Sequence, residues 1–332
     1  MILEFDAYVT AALFDAKAVP MFALGDGTAR LVTLEGFVTV QAHDGAVLAA
    51  CGHPSGSGIL TAGDDGRVVW SRLEGDELVA SEIAQVKGKW IDAIAASAES
   101  GLIAFAAGRD LHVRDSKDAA FSRTFTHEKS VADVAFDPKG RRIAAATYGG
   151  AALWYARITP QKPIFLKWAG SHVAVAWSPD GKFLMSAMQE NQLHGWRVAD
   201  EKNMRMGGYP AKVKSLVFLS KGQLMATSGA NGAVVWPFAS STGPMGKQAA
   251  EVGFDEGALV VRVAATPGSG RLAAGLDDGR VWVTETTAAR LEPIKAEKGP
   301  VITALAITPD GRRLAWGDEE GGAGVAELPA QF

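Results

Sequence analysis

Short apolar runs and glycine-bearing turns alternate along the whole chain, and no stretch sustains a helical period. The run Val131 to Phe136 ends in Asp137-Pro138-Lys139-Gly140. The run Val173 to Trp177 ends in Ser178-Pro179-Asp180-Gly181, and Ile302 to Ile307 ends in Thr308-Pro309-Asp310-Gly311. Proline presets φ at the second turn position, and glycine accepts the left-handed closing position. A second apolar run follows each turn, then an Asp-Gly or Asn-Gly pair such as Asp65-Gly66, Asn231-Gly232 or Asp278-Gly279, then a third run. Such a pair between two apolar runs is a strong hairpin signal. The chain therefore reads as all-β.

The pattern repeats. First strands start near Val9, Val47, Ile91, Val131, Val173, Val213, Val260 and Val301, at spacings of 38 to 47 residues. A period in the forties with four strands per unit is that of propeller blades. Eight blades are expected, with seven as the alternative. A fourth, weaker strand such as Pro163 to Trp168 is expected outermost. The last unit supplies three strands, so Ile2-Leu3-Glu4-Phe5 is expected to complete it and to close residues 1–332 into a single propeller domain. First strands are rich in alanine, which suits a crowded axis although it is a poor strand former alone.

Third runs often end in tryptophan: Trp70, Trp154, Trp196 and Trp236. Ser186 to Trp196 lies without a gap on the Ser-Gly-Ser-Asp-Asp-Gly-Thr-Val-Arg-Ile-Trp pattern, so the chain resembles the WD-repeat β-propellers over essentially its whole length. The resemblance implies a structural His in each blade, bonded to a Ser or Thr and near the Trp. His43, Thr61, Asp65 and Trp70 would be one such tetrad, although the third strand of that unit is one residue short. His172, Ser186, Glu190 and Trp196 would be another. Trp154 and Trp236 take the same blade role. The alanine- and glycine-rich style is similar to bacterial members, in particular a proteobacterial subgroup encoded near CobW-type metal-chaperone GTPases, which implies such a GTPase as a partner.

Composition narrows the function. A net charge of −4 argues against nucleic acid as the main partner. There is a single cysteine, and no 18-residue apolar run. The N-terminus has acids where a signal peptide carries Lys or Arg. A cytoplasmic monomer without membrane contact is expected. No catalytic motif, metal cluster or cofactor loop is present, so no enzyme activity, metal or cofactor is expected.

The aromatics outside the blade slots carry the functional reading. Trp90, Trp168 and Tyr209 each sit just before a first strand, beside Lys89, Lys167 and Lys212, and Tyr8 is placed to join them. In a propeller such connections converge at one mouth of the central channel. Exposed aromatics among cations are the usual makings of a binding hot spot. The leading expectation is a non-catalytic scaffold that binds a partner protein or peptide there. The alternative is an enzyme or a small-ligand or metal sensor, with Asp92 and Asp133 facing the axis. A purely structural subunit of a larger assembly is the third reading.

Overall fold

A computed structural model describes residues 1–288 and 290–330. Apart from one short 3-10 turn at Ser220–Gly222, every regular element among them is a β-strand. Among the described residues no helix is long and apolar enough to cross a membrane. The chain's contacts gather into two compact units, Leu13–Trp177 and Met1–Ala12 with the residues from Ser178 onward.

Among the described residues the strands form seven antiparallel sheets, six of four strands and one of six. The four-stranded sheets span residues 9–41, 47–85, 93–126, 216–252 and 260–295, and the last combines 302–327 with Ile2–Glu4. The expectation of eight blades is corrected, and the alternative of seven is what the sheets support. The departure lies in the expected fourth and fifth units, which share the six-stranded sheet of residues 131–206. Two extended segments in it, Arg142–Tyr155 and Ile164–Trp177, have 14 residues each. The reversal expected within Arg142–Tyr155 falls at Tyr148-Gly149-Gly150, where both glycines have positive φ, and the Ala156 N–H donates to the Arg141 carbonyl at 2.9 Å where the two halves lie side by side. The first half of Arg142–Tyr155 pairs with the inner strand Val131–Phe136, and its second half pairs with Ile164 to Lys167. That outer segment is the weak strand expected at Pro163 to Trp168.

Hairpin turns fall where the sequence places them. Asp65-Gly66 joins Ile59–Gly63 to Arg67–Glu74. Gly66 has φ +76°, and a Cβ there would lie 2.3 Å from the Val86 carbonyl oxygen, so conformation and space both require glycine. Inner strands start at Ala93, Leu216 and Ile302 rather than at Ile91, Val213 and Val301.

Completion of the last sheet by the N-terminus holds. Ile2, Leu3 and Glu4 pair with Gly324, Ala323 and Gly322. The Met1 ammonium donates to the Val325 carbonyl at 2.7 Å, and Phe5 N–H donates to Gly321 at 2.8 Å. Leu3 and Phe5 are buried, so this edge is sealed by backbone pairing and apolar burial together. Truncating Phe5 leaves a cavity at the seam. Phe5→Ala is expected to cost about 3–5 kcal/mol in urea denaturation, whereas Ile2→Ala, at a side chain 71% exposed, should change it little.

Candidate functional site

The residues at the tetrad slots are fixed by strand parity. His43 is fully buried, with Nε2 2.8 Å from Thr61 Oγ1 and Nδ1 3.0 Å from Asp65 Oδ1. A carboxylate only accepts, so Nδ1 carries the proton. Burial pushes the Asp65 carboxyl up, but hydrogen bonds from His43 and from the Arg67 and Asp44 amides outweigh it and hold it below the ordinary value.

Trp70 is not part of this group. Its indole N–H donates to the Ser57 carbonyl at 2.9 Å, and its ring stacks on His53 at 3.9 Å with the Arg72 guanidinium 4.0 Å from its ring centre. The missing residue in the third strand explains the correction. Thr61 lies opposite Val69, so Trp70, one step on, faces the other side of the sheet. Burial, with the Arg72 charge second, pushes the His53 imidazole down to about 4.

In the sheet of residues 216–252 parity is kept: Thr227 lies opposite Val234, and Trp236 is two steps on. There the structure places Tyr209, expected on an exposed binding surface, in the structural slot. It is 8% exposed. Trp236 Nε1 donates to its hydroxyl at 2.7 Å, and that hydroxyl lies 2.7 Å from Thr227 Oγ1. Tyrosine thus does the work that histidine does elsewhere, since a phenol both donates and accepts. Beside the six-stranded sheet, Trp154 Nε1 donates to His127 Nε2 at 2.9 Å, while His127 Nδ1 lies 3.1 Å from the Arg109 carbonyl. His172, Ser186 and Trp196 are each buried, His172 Nε2 meets the Trp168 carbonyl at 3.0 Å, and Glu190 is exposed.

The remaining surface candidates divide by unit. In Met1–Ala12 with the residues from Ser178 onward, Tyr8 is 43% exposed, and Lys212 is half-buried with Nζ 2.5 Å from Gln189 Oε1. In Leu13–Trp177, Trp90 is 68% exposed beside exposed Lys89, and Trp168 is half-buried beside exposed Lys167. Tyr148, 63% exposed, is an aromatic the sequence reading missed. The signal was an aromatic in a turn slot that other units fill with Asp-Gly. Tyr148 follows Thr147, which pairs with Val131 at the start of its inner strand, and Tyr148 itself pairs with Ser171 close to Trp168. Trp90 precedes the neighbouring inner strand Ala93–Ser97. Trp90, Tyr148 and Trp168 therefore lie at the same ends of the strands of this unit. Lys87, Lys89, Arg109 and Lys129 are exposed there and form no ion pair among the described residues.

Asp133, the alternative's chemical residue, braces backbone. Its Oδ1 accepts from Val134 N–H at 2.9 Å and its Oδ2 from Val175 N–H at 2.8 Å, which ties one inner strand to the next. Burial raises it to about 6 against those two hydrogen bonds, with the nearby Asp92 charge adding to the rise. Burial raises Asp92 as well. Among the described residues no three His, Cys, Asp or Glu side chains gather as metal ligands. Burial pushes the Cys51 thiol up to about 12, which keeps it protonated and unreactive.

Two predictions test these assignments. Tyr209→Phe leaves the Trp236 N–H without its acceptor, while the Thr227 hydroxyl keeps the Val234 carbonyl at 3.3 Å, and should cost about 1–3 kcal/mol in chemical denaturation. Asp133 binds its proton more tightly folded than unfolded, so its contribution is complete below pH ~4 and is lost as pH rises through about 6. The stability difference between Asp133→Asn and the parent should therefore move in the variant's favour by up to about 3 kcal/mol from pH 4 to pH 7. A difference that stays flat with pH would remove the shifted carboxyl from the account.

Two segments, residues 36–70 and 120–154, match the family model "WD domain, G-beta repeat". They contain His43 with Thr61 and Asp65, and His127 with Trp154, where the structural histidine survives. No curated protein matches the chain. Among solved structures it is similar to the computationally designed Ika8 protein, with a TM-score of 0.78 over 98% of both chains at 16% identity, a likeness of fold. Sheets and repeat matches agree: the chain is an all-β propeller, two segments of which are similar to WD repeats.

Proposed function

We propose that the protein is a non-catalytic interaction scaffold that binds a partner protein or peptide through the face carrying Trp90, Tyr148 and Trp168. The observation that carries this is Trp90, a 68% exposed indole beside exposed cations that form no ion pair among the described residues. Large aromatics of this kind dominate interface energies when a partner buries them. The surrounding lysines and Arg109 would speed encounter with an acidic partner and orient it, adding less to affinity than the rings do. The propeller fold supports this role without specifying it. Tyr209 drops out of the proposed surface, and Lys212 and Tyr8 lie in the other compact unit. The likeness to chains encoded near CobW-type metal-chaperone GTPases makes such a GTPase the first named partner to test. The Asp133 carboxylate, committed to two backbone amides, weighs against acid–base catalysis at the inner strands.

The test is affinity capture from the native lysate, with the parent beside Trp90→Ala/Trp168→Ala. The expected result is a stoichiometric partner retained by the parent and weakened at least tenfold by the double variant. The melting temperature of the Trp90→Ala single variant should be unchanged. A partner held equally by both baits would move the site elsewhere.

A further inference from the structure

A second surface lies in the same compact unit, at the opposite ends of the strands from Trp90. The turn at residues 98–101 links Ala93–Ser97 to Leu102–Ala107 at the end away from Ala93. Together with the turn at 138–141 and the connection after Tyr155 it encloses a cleft of about 610 Å³. This is within the size range of sites that take small ligands or a few residues of peptide.

The lining has two chemistries. Tyr155 and Ile158 are 44% and 52% exposed and form the apolar part. Lys139, Arg141 and Arg157 supply three cations against one acid, Glu99. Arg157 is already engaged: Nη2 lies 2.5 Å from Asp115 Oδ2, and its guanidinium sits 4.8 Å from the centre of the Phe121 ring. Lys139 and Arg141 are exposed and form no ion pair among the described residues. The cleft therefore keeps positive charge that the chain does not neutralise.

The apolar part is held in place before anything binds. Gln161 Oε1 accepts from Tyr155 N–H at 3.0 Å, and its Nε2 donates to the carbonyls of Tyr155 and Ile158 at 2.7 Å each. One side-chain amide thus closes the loop that presents both apolar residues. A preformed loop loses little entropy on binding.

We infer that this cleft docks a short acidic segment of a partner protein, with an apolar side chain seated between Tyr155 and Ile158 and carboxylates facing Lys139 and Arg141. Exposed ion pairs are individually weak, so the apolar anchor carries the affinity and the cations select acidic sequences. The site is separate from the Trp90 face, and either assignment can fail without the other.

The experiment is selection of a displayed random dodecapeptide library on the full chain, with depletion on Lys139→Glu/Arg141→Glu. Enriched peptides are resynthesised with a fluorescent label and titrated by polarisation. Expected are peptides with several Asp or Glu around a Leu, Ile or aromatic residue. Their affinity should fall at least tenfold with Lys139→Glu/Arg141→Glu and with Tyr155→Ala/Ile158→Ala, and stay within twofold with Trp90→Ala. All three variants alter exposed side chains, and their thermal melts serve as the folding control. Failure to enrich acidic peptides, or acidic peptides that follow Trp90→Ala instead, would overturn the proposal.

Discussion

The structure rests on one constraint: its sheets must be covered on both faces. An antiparallel sheet with one face in water alternates apolar and polar residues. Here the strands next to the inner ones do not alternate. Every residue of Leu102–Ala107, Phe183–Met188 and Arg271–Leu276 is buried. This explains why alanine, weak as an intrinsic strand former, is abundant: Ala104, Ala106, Ala144, Ala145 and Ala146 are essentially inaccessible and leave room for neighbours to pack close. Polar chemistry is consequently pushed to strand ends and turns.

Those strand ends show that a slot and its residue are separable. The indole of a third-strand Trp needs an acceptor in the slot before the inner strand. His127 supplies one to Trp154, and Tyr209 supplies one to Trp236. Where a one-residue deletion changes the parity, Trp70 instead finds a backbone carbonyl and a second histidine ring. The same demand, an indole N–H that seeks an acceptor, has three local solutions. Inner strands are joined by comparable devices, with Asp133 reaching Val175 N–H and Ser215 Oγ accepting from Val263 N–H at 2.8 Å. A carboxylate in such a position is a structural group, although by sequence it resembles a catalytic one.

Function is then left to what the blades do not consume. In the unit Leu13–Trp177 this is an aromatic and basic face at one end of the strands and a preformed cleft at the other. Both are made from connections and from the turns and ends of strands, where side chains are free of the two-sided burial that governs the strand interiors.

The sequence by itself determined the all-β class, the repeat, the Asp-Gly hairpins and the use of Ile2 to Glu4 to complete the last sheet. These follow from local turn chemistry, from periodicity and from the need to satisfy an open edge, all of which are written in consecutive residues. It also marked Trp90 as lying outside the blade slots. Only the tertiary structure decided that Tyr209 is buried, that Trp70 faces away from His43, that Asp133 braces backbone, and that seven sheets replace eight. Each of these depends on which face of a strand a residue occupies or on what lies across from it. A one-residue shift in register reverses the face without altering the apolar pattern that the sequence displays.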